Sequence, residues 1–360
     1  MSQTTAVRVW IGTRKGAFLF RSKDRRKWET EGPHFAGTEV NHVVEDPRDP
    51  LRVYALTGSA WFGPHVQTST DGGKTWQLAE TGLSAGDLPD ASLKRLWHLA
   101  PGASDEPGTV YVGGDPGVLF RSRDHGGAWE MVDGLTKHST RPQWTEGAGG
   151  MMVHSIECLG NGRMIVGISA AGAFRTNDGG ESWEAFNGGV LADFLPTEYP
   201  EVGQCVHKLR AHPLKRDALY QQNHCGVYRA SFGDSSWTDI SEKLPSRFGF
   251  AMAVPAAEEQ TVFTIPIHSA AERYVPGGHL RVARSRDAGQ NWELLDKGLP
   301  QENAYVLVLR EAMTADACDP AGVYFGTSGG SVFYTRDAGD SWEVLAHDLP
   351  PVYSVAAATG

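Results

Sequence analysis

An eight-residue turn that returns at a nearly fixed interval constrains this chain more than any other feature. It reads S-T-D-G-G-K-T-W from Ser69 to Trp76, S-R-D-H-G-G-A-W from Ser122 to Trp129 and T-N-D-G-G-E-S-W from Thr176 to Trp183. Two further near-complete copies end at Trp292 and Trp342, and two worn copies end at Trp28 and Trp237. Seven tryptophans at steps of roughly fifty residues mark seven supersecondary units, the period of a propeller array.

The turn has a physical logic. In S/T-x-D-x-G-x-S/T-W the aspartate accepts backbone N–H groups inside the turn, and the glycine takes a positive φ that other residues resist. The tryptophan then leads the next strand and packs its large face on the hairpin. These residues resemble the Asp-box of BNR repeats. Proteins similar in this respect include sialidases, sortilin-type receptors, a photosystem assembly factor and bacterial glycosyl hydrolase-like proteins. The resemblance implies an all-β propeller and leaves function open. Asp71, Asp124, Asp178, Asp287 and Asp337 are read as turn formers, not as catalysts or calcium ligands.

Because the repeat runs through all 360 residues, the chain is read as one domain, 1–360. It is expected to be a seven-bladed β-propeller of four-stranded blades. Forty-three glycines and twenty prolines spread along the chain suit short strands and tight turns. A net charge of −10 without a basic stripe argues against nucleic acid or an anionic membrane surface as partner. The first residues lack the pattern of a secretory signal, and no apolar run approaches eighteen residues. Cys158, Cys205, Cys225 and Cys318 are too scattered for a disulfide framework, so a reducing, cytoplasmic location is expected.

Each unit reads as four strands, with the Asp-box between the third and fourth. In the third unit these are Leu93 to Leu99, Thr109 to Gly113, Gly117 to Arg121 and Trp129 to Val132. The first unit opens directly on its second strand, Val7 to Gly12, and lacks an inner one. Pro351 to Ala358 is placed to supply it, so the C-terminus is expected to complete blade one and close the ring.

Long loops face away from the Asp-boxes, and loops on a rigid scaffold are where function concentrates. They carry Trp61, Phe62 and His65; Trp144 and Glu146; Glu198, Tyr199 and Glu201; His224 and Cys225; and His268, Glu272, Arg273 and Tyr274. Of these, Trp61, His65, Trp144, His224 and Arg273 are the candidate ligand-binding residues. A second repeat is nested in the first: His42, His98, His154 and His207 open four consecutive inner strands, 34, 31, 29 and 30 residues before their tryptophans. Four converging imidazoles suit a transition metal such as iron, copper or zinc. A structural alternative is that each histidine hydrogen-bonds between blades. The corresponding places in blades six, seven and one hold Phe248 or Phe250, Tyr305 and Tyr353.

Three functions follow as expectations. The first is a small-molecule enzyme or binding protein with a histidine-rich, metal-bearing pocket at the channel mouth. The second, suggested by the resemblance, is a glycoside hydrolase acting on a carbohydrate ligand. It would use a pair among Glu39, Glu146, Glu201, Glu272 and Glu302, with Glu146, Glu201 and Tyr199 as catalytic candidates. Sialidases add an R-I-P motif and have six blades, whereas this chain has Thr264-Ile265-Pro266 and seven repeats. The third is a non-catalytic interaction scaffold. Gly326 to Gly330 matches G-x-S-x-G but sits between strands, where a nucleophile elbow cannot form.

Overall fold

The computed structural model describes residues 6–59, 61–79, 81, 83–86, 88, 92–147 and 149–360. Among these the strands form seven four-stranded antiparallel sheets, the architecture of a seven-bladed β-propeller. Blade three runs Arg95–Pro101, Val110–Asp115, Val118–Ser122 and Glu130–Met131, each within about two residues of expectation at most bounds. Its second strand is buried at every position, which the run Val110-Tyr111-Val112 accounts for.

The C-terminal strand, Val352–Thr359, pairs antiparallel with Val7–Thr13 from Val7 opposite Thr359 to Thr13 opposite Val352. It is the inner strand of blade one, as its sequence position requires. Tyr305 departs from expectation. The inner strand of blade seven is Met313–Ala315, and Tyr305 lies in the preceding loop, 66 % exposed. The loop's own backbone bonds, such as Ala304 N–H to Gly278 O at 3.0 Å, hold it there instead of in a ladder.

Each Asp-box behaves as the turn chemistry dictates. In the second blade Ser69 Oγ donates to Asp71 Oδ1 at 2.8 Å, and the N–H groups of Lys74 and Thr75 donate to the same oxygen at 3.0 and 2.9 Å. Those donors, the Thr75 amide foremost, bring the Asp71 pKa down to about 2. Gly72 and Gly73 sit at φ of 75° and 91°. The tryptophans do more than cover their own hairpins. Trp129 Nε1 and Trp183 Nε1 donate to Gly126 O and Gly180 O, but Trp237 Nε1 reaches back to Phe186 O at 2.8 Å and Trp292 Nε1 to Ile240 O at 2.7 Å. The last two indoles tie one blade's outer strand to the hairpin of the next.

The chain divides into two compact units. One comprises residues up to Val40, Arg210–Gly233 and Thr238–Gly360; the other comprises Asn41–Leu209 and Asp234–Trp237. The first is filled by a core that includes Val9, Ile11, Phe263, Tyr324, Phe325 and Trp342. In the second, Tyr111, Leu119, Val153, Val166 and Phe174 pack together, with Tyr54, Leu56, Leu96 and Phe120 in a neighbouring cluster. Blades approach closely: a Cβ on Gly113 would lie 2.1 Å from Val153 O, so only glycine fits there.

Removing Val352–Thr359 strips the backbone partner from the whole length of Val7–Thr13 and exposes a long apolar edge. The truncated protein is expected to be insoluble or to lose its cooperative melt. A monodisperse product with the parent Tm would overturn the closure.

Candidate active site

The four histidines stand on the inner strands Glu39–Asp46, Arg95–Pro101, Val153–Gly160 and Val206–Ala211, and all are buried. His154 lies at a register irregularity between Val153 and Ser155, and its side chain reaches the neighbouring blade. Its Nε2 is 2.7 Å from Val206 O and its Nδ1 3.1 Å from Ser155 Oγ. A carbonyl can only accept, so Nε2 carries the proton and Nδ1 accepts from the serine. Both nitrogens are thereby committed, and His154 has no lone pair left for a metal. His42 Nδ1 accepts the Leu99 N–H at 3.0 Å. The His42 and His98 rings stack at 4.8 Å with 22° between planes. Hydrogen bonding between blades, the structural alternative, thus accounts for His154 and for Nδ1 of His42.

The loop candidates scatter. Trp144 is buried in the core, donating Nε1–H to Thr140 Oγ1 at 3.0 Å and packing on Phe174 at 5.1 Å, so its faces are covered. Tyr199 and Glu201 are exposed; the Glu201 carbonyl accepts from Asn187 at 3.0 Å and anchors the loop. His224 stands edge-on to Phe248 at 5.1 Å. Arg273 is exposed and lies 5.8 Å from the Phe250 centroid.

Glu146, Trp61 and His65 belong to the second unit, where a cleft of about 280 Å³ opens between Phe62, Pro64, His65, Leu78, Leu83 and Leu93. Trp61 and Phe62 project beside it, 90 % and 80 % exposed. The residue after Leu93 is Lys94, whose Nζ lies 3.0 and 3.2 Å from the two carboxylate oxygens of Glu146. Lys94 also donates its backbone N–H to Asp115 O at 3.0 Å, joining the ion pair to the end of strand Val110–Asp115.

Asp115 is the residue that reading the sequence missed. Its side chain is buried, and Oδ1 has no hydrogen-bond partner among the described residues. Burial pushes its pKa up; Lys94 opposes the shift and the Glu146 charge adds to it. Gly150 makes room for it, since a Cβ there would meet Asp115 Oδ2 at 2.6 Å. One signal was available. The second strands of the seven blades end in Thr13, Ser59, Asp115, Ile168, Asn223, Pro266 and Gly326, so a carboxylate stands at this position in blade three alone.

A family model of the BNR/Asp-box repeat matches residues 67–78. The chain is 28% identical over 291 residues to a xyloglucanase of Paenibacillus sp, a match covering 70% of this chain and 26% of that protein. It is also 28% identical over 148 residues to the photosystem II assembly lipoprotein Ycf48 of Synechococcus sp. (strain CC9902), covering 41% of this chain and 37% of that one. The chain therefore spans about a quarter to two fifths of the length of these relatives. Among solved structures, a GH74 enzyme of Niastella koreensis superposes with a TM-score of 0.58 at 16% identity, covering 94% of this chain and 55% of the other. Repeat and fold together make this chain a seven-bladed β-propeller built on BNR/Asp-box repeats.

Proposed function

We propose that the chain binds a glycan and hydrolyses it, with Asp115 as proton donor and Glu146 as partner carboxylate. The observation that carries this reading is the contrast between the two groups. Asp115 is buried with its pKa raised, while Glu146 is half-exposed in an ion pair with Lys94. Glycoside cleavage needs such a division, with one carboxyl holding a proton at the working pH and another charged. Asp115 gives its proton to the glycosidic oxygen as the C1–O bond breaks. Water adds to C1 and loses a proton to Glu146, and solvent returns that proton to Asp115. The cleft beside Lys94 offers an apolar seat for a sugar ring, and Trp61 supplies an exposed aromatic face at its edge. The xyloglucanase name borne by the Paenibacillus relative supports the substrate class and makes xyloglucan the first substrate to try.

Asp115→Asn and Glu146→Gln are each expected to lower kcat on xyloglucan or on an active aryl glycoside by roughly 10²- to 10⁴-fold, the usual contribution of a general acid or base. The parent's rate should fall as pH rises through the raised Asp115 value. A parent inert on neutral and acidic glycans, or an Asp115→Asn variant at full rate, would remove the hydrolase.

Thermal melts give an independent check on Asp115. A carboxyl whose folded pKa is raised binds its proton more tightly in the fold. Its contribution is therefore most favourable below the ordinary carboxylate value and is lost as pH rises through the folded one. Asp115→Asn should melt above the parent at pH 7 to 8, and the gap should close toward pH 4. A variant less stable than the parent at pH 7, with no pH dependence, would show that burying this charge costs nothing.

A transition-metal centre of iron, copper or zinc is the second reading; Cys205 and His207 bring ligand atoms within 4.8 Å of one another, and His42 and His98 form a second such pair. Stoichiometric metal in untagged protein, lost in a His42→Ala/His98→Ala or a Cys205→Ala/His207→Ala double variant, is the outcome expected on this reading. A metal-free parent would end it.

A further inference from the structure

The first unit carries an aromatic surface that the carboxylate pair does not use. In the loop from His268 to Leu280, the His268 and Tyr274 rings lie parallel, 5.4 Å apart with 7° between planes. Tyr274 in turn meets Tyr305 at 5.2 Å and 54°. Tyr305 is two-thirds exposed, and His268 is exposed as well.

Together Tyr305 and His268 present ring surface to solvent on either side of Tyr274. These rings are also held in place. Glu272 Oε2 lies 3.0 Å from His268 Nε2, and the His268 N–H donates to Tyr274 O at 2.7 Å. Val275 N–H reaches Val306 O at 3.2 Å and Ala304 N–H reaches Gly278 O at 3.0 Å, so the two segments that bear the rings are stitched together by backbone. A platform fixed in advance loses little entropy when a ligand lands on it.

The same loop carries positive charge in a chain whose net charge is −10. Arg273, next to Tyr274, lies 5.8 Å from the Phe250 centroid, and Arg310 lies 5.0 Å from the same ring. Arg273 Nε donates to Ala270 O at 3.0 Å, which fixes the guanidinium plane and leaves the Nη pair as donors. The nearest acidic side chain in the loop, Glu272, is engaged by His268. A planar guanidinium held this way suits a carboxylate, which it can grip through two parallel hydrogen bonds.

We propose that this surface binds a hexuronate residue of a glycan, its C–H face on the exposed ring of Tyr305 and its carboxylate on Arg273. A pyranose ring presents axial C–H groups that pack on an aromatic face, and a hexuronate carries its carboxylate on C5 at the ring edge. A neutral hexose puts a CH₂OH group there and offers the guanidinium one hydroxyl in place of two charged oxygens. The inference deepens the glycan reading and rests on it, by specifying an acidic sugar at a place separate from the chemistry.

Calorimetry separates the two ideas. The probe pair is a xylo-oligosaccharide bearing one glucuronic acid and the same oligosaccharide without it, titrated at low salt into the uncleaving Asp115→Asn protein. The acidic sugar is expected to bind at least tenfold tighter, and added salt should narrow the difference. Tyr305→Ala should weaken both sugars about tenfold. Arg273→Gln should erase the preference while leaving the neutral affinity, and Arg273→Lys, which keeps the charge but not the fork, should fall between. Equal affinity for the two sugars, or an unchanged preference in Arg273→Gln, overturns the proposal. Binding unchanged in Tyr305→Ala overturns it too. Xyloglucan hydrolysis with no acidic preference would sink this inference and leave the hydrolase standing; acid-selective binding without turnover would do the reverse.

Discussion

The innermost strand of each blade ends its sheet, and the backbone groups on its open edge need partners from outside that sheet. Side chains of one inner strand supply them to the next. Asn41 Nδ2 donates to Leu96 O, His42 Nδ1 accepts from Leu99 N–H, His154 Nε2 bonds Val206 O and Ser155 Oγ accepts from Leu209 N–H. Each clasp crosses from one blade to its neighbour at a sequence separation of about one repeat. Blades with two open faces and a free edge have little stability alone, so the apolar packing between them is joined by these bonds and by the tryptophans that reach the preceding outer strand. The histidine repeat follows from that need: imidazole is long enough to reach the neighbouring strand and can accept or donate according to what it meets.

This explains which parts of the molecule could be read from residues alone. The Asp-box is local chemistry. Its donors and acceptors lie within four positions of Asp71, so the turn, the repeat length and the strand between Val110 and Asp115 are all written in adjacent letters. Blade closure was legible for a related reason, because the first unit lacks one strand and the last segment, Val352–Thr359, has no other sheet to join. The clasps were not legible. His154 meets its partner 52 residues away, a pairing that no adjacent residue announces.

The loops show the same limit more sharply. Trp144 and Trp61 look alike as aromatic loop residues, yet one is a core residue bonded to Thr140 and the other stands almost wholly in solvent. Loop length and composition marked where to look; burial decided which residues remained available. Tyr305 falls at the spacing of an inner strand, but the ladder of blade seven begins at Met313 and Tyr305 packs against Tyr274 in the loop before it.

The aspartates make the last distinction. Asp71 and Asp115 have the same side chain and both sit at strand ends beside turns. Around Asp71 the backbone turns its N–H groups inward, two of them meet one oxygen, and the charged form is the favoured one down to about pH 2. Asp115 ends a wholly buried strand, keeps an oxygen without a donor and feels the negative charge of Glu146, so the neutral form gains. A carboxylate already saturated by fixed donors has neither a proton to give nor a lone pair to spare, and it serves the fold. A carboxyl left short of donors holds its proton more tightly than an ordinary one. The repeat built five copies of the first kind and the departure from the repeat built one of the second. In a propeller of near-identical blades, chemistry is therefore to be sought where one blade breaks the pattern the others keep.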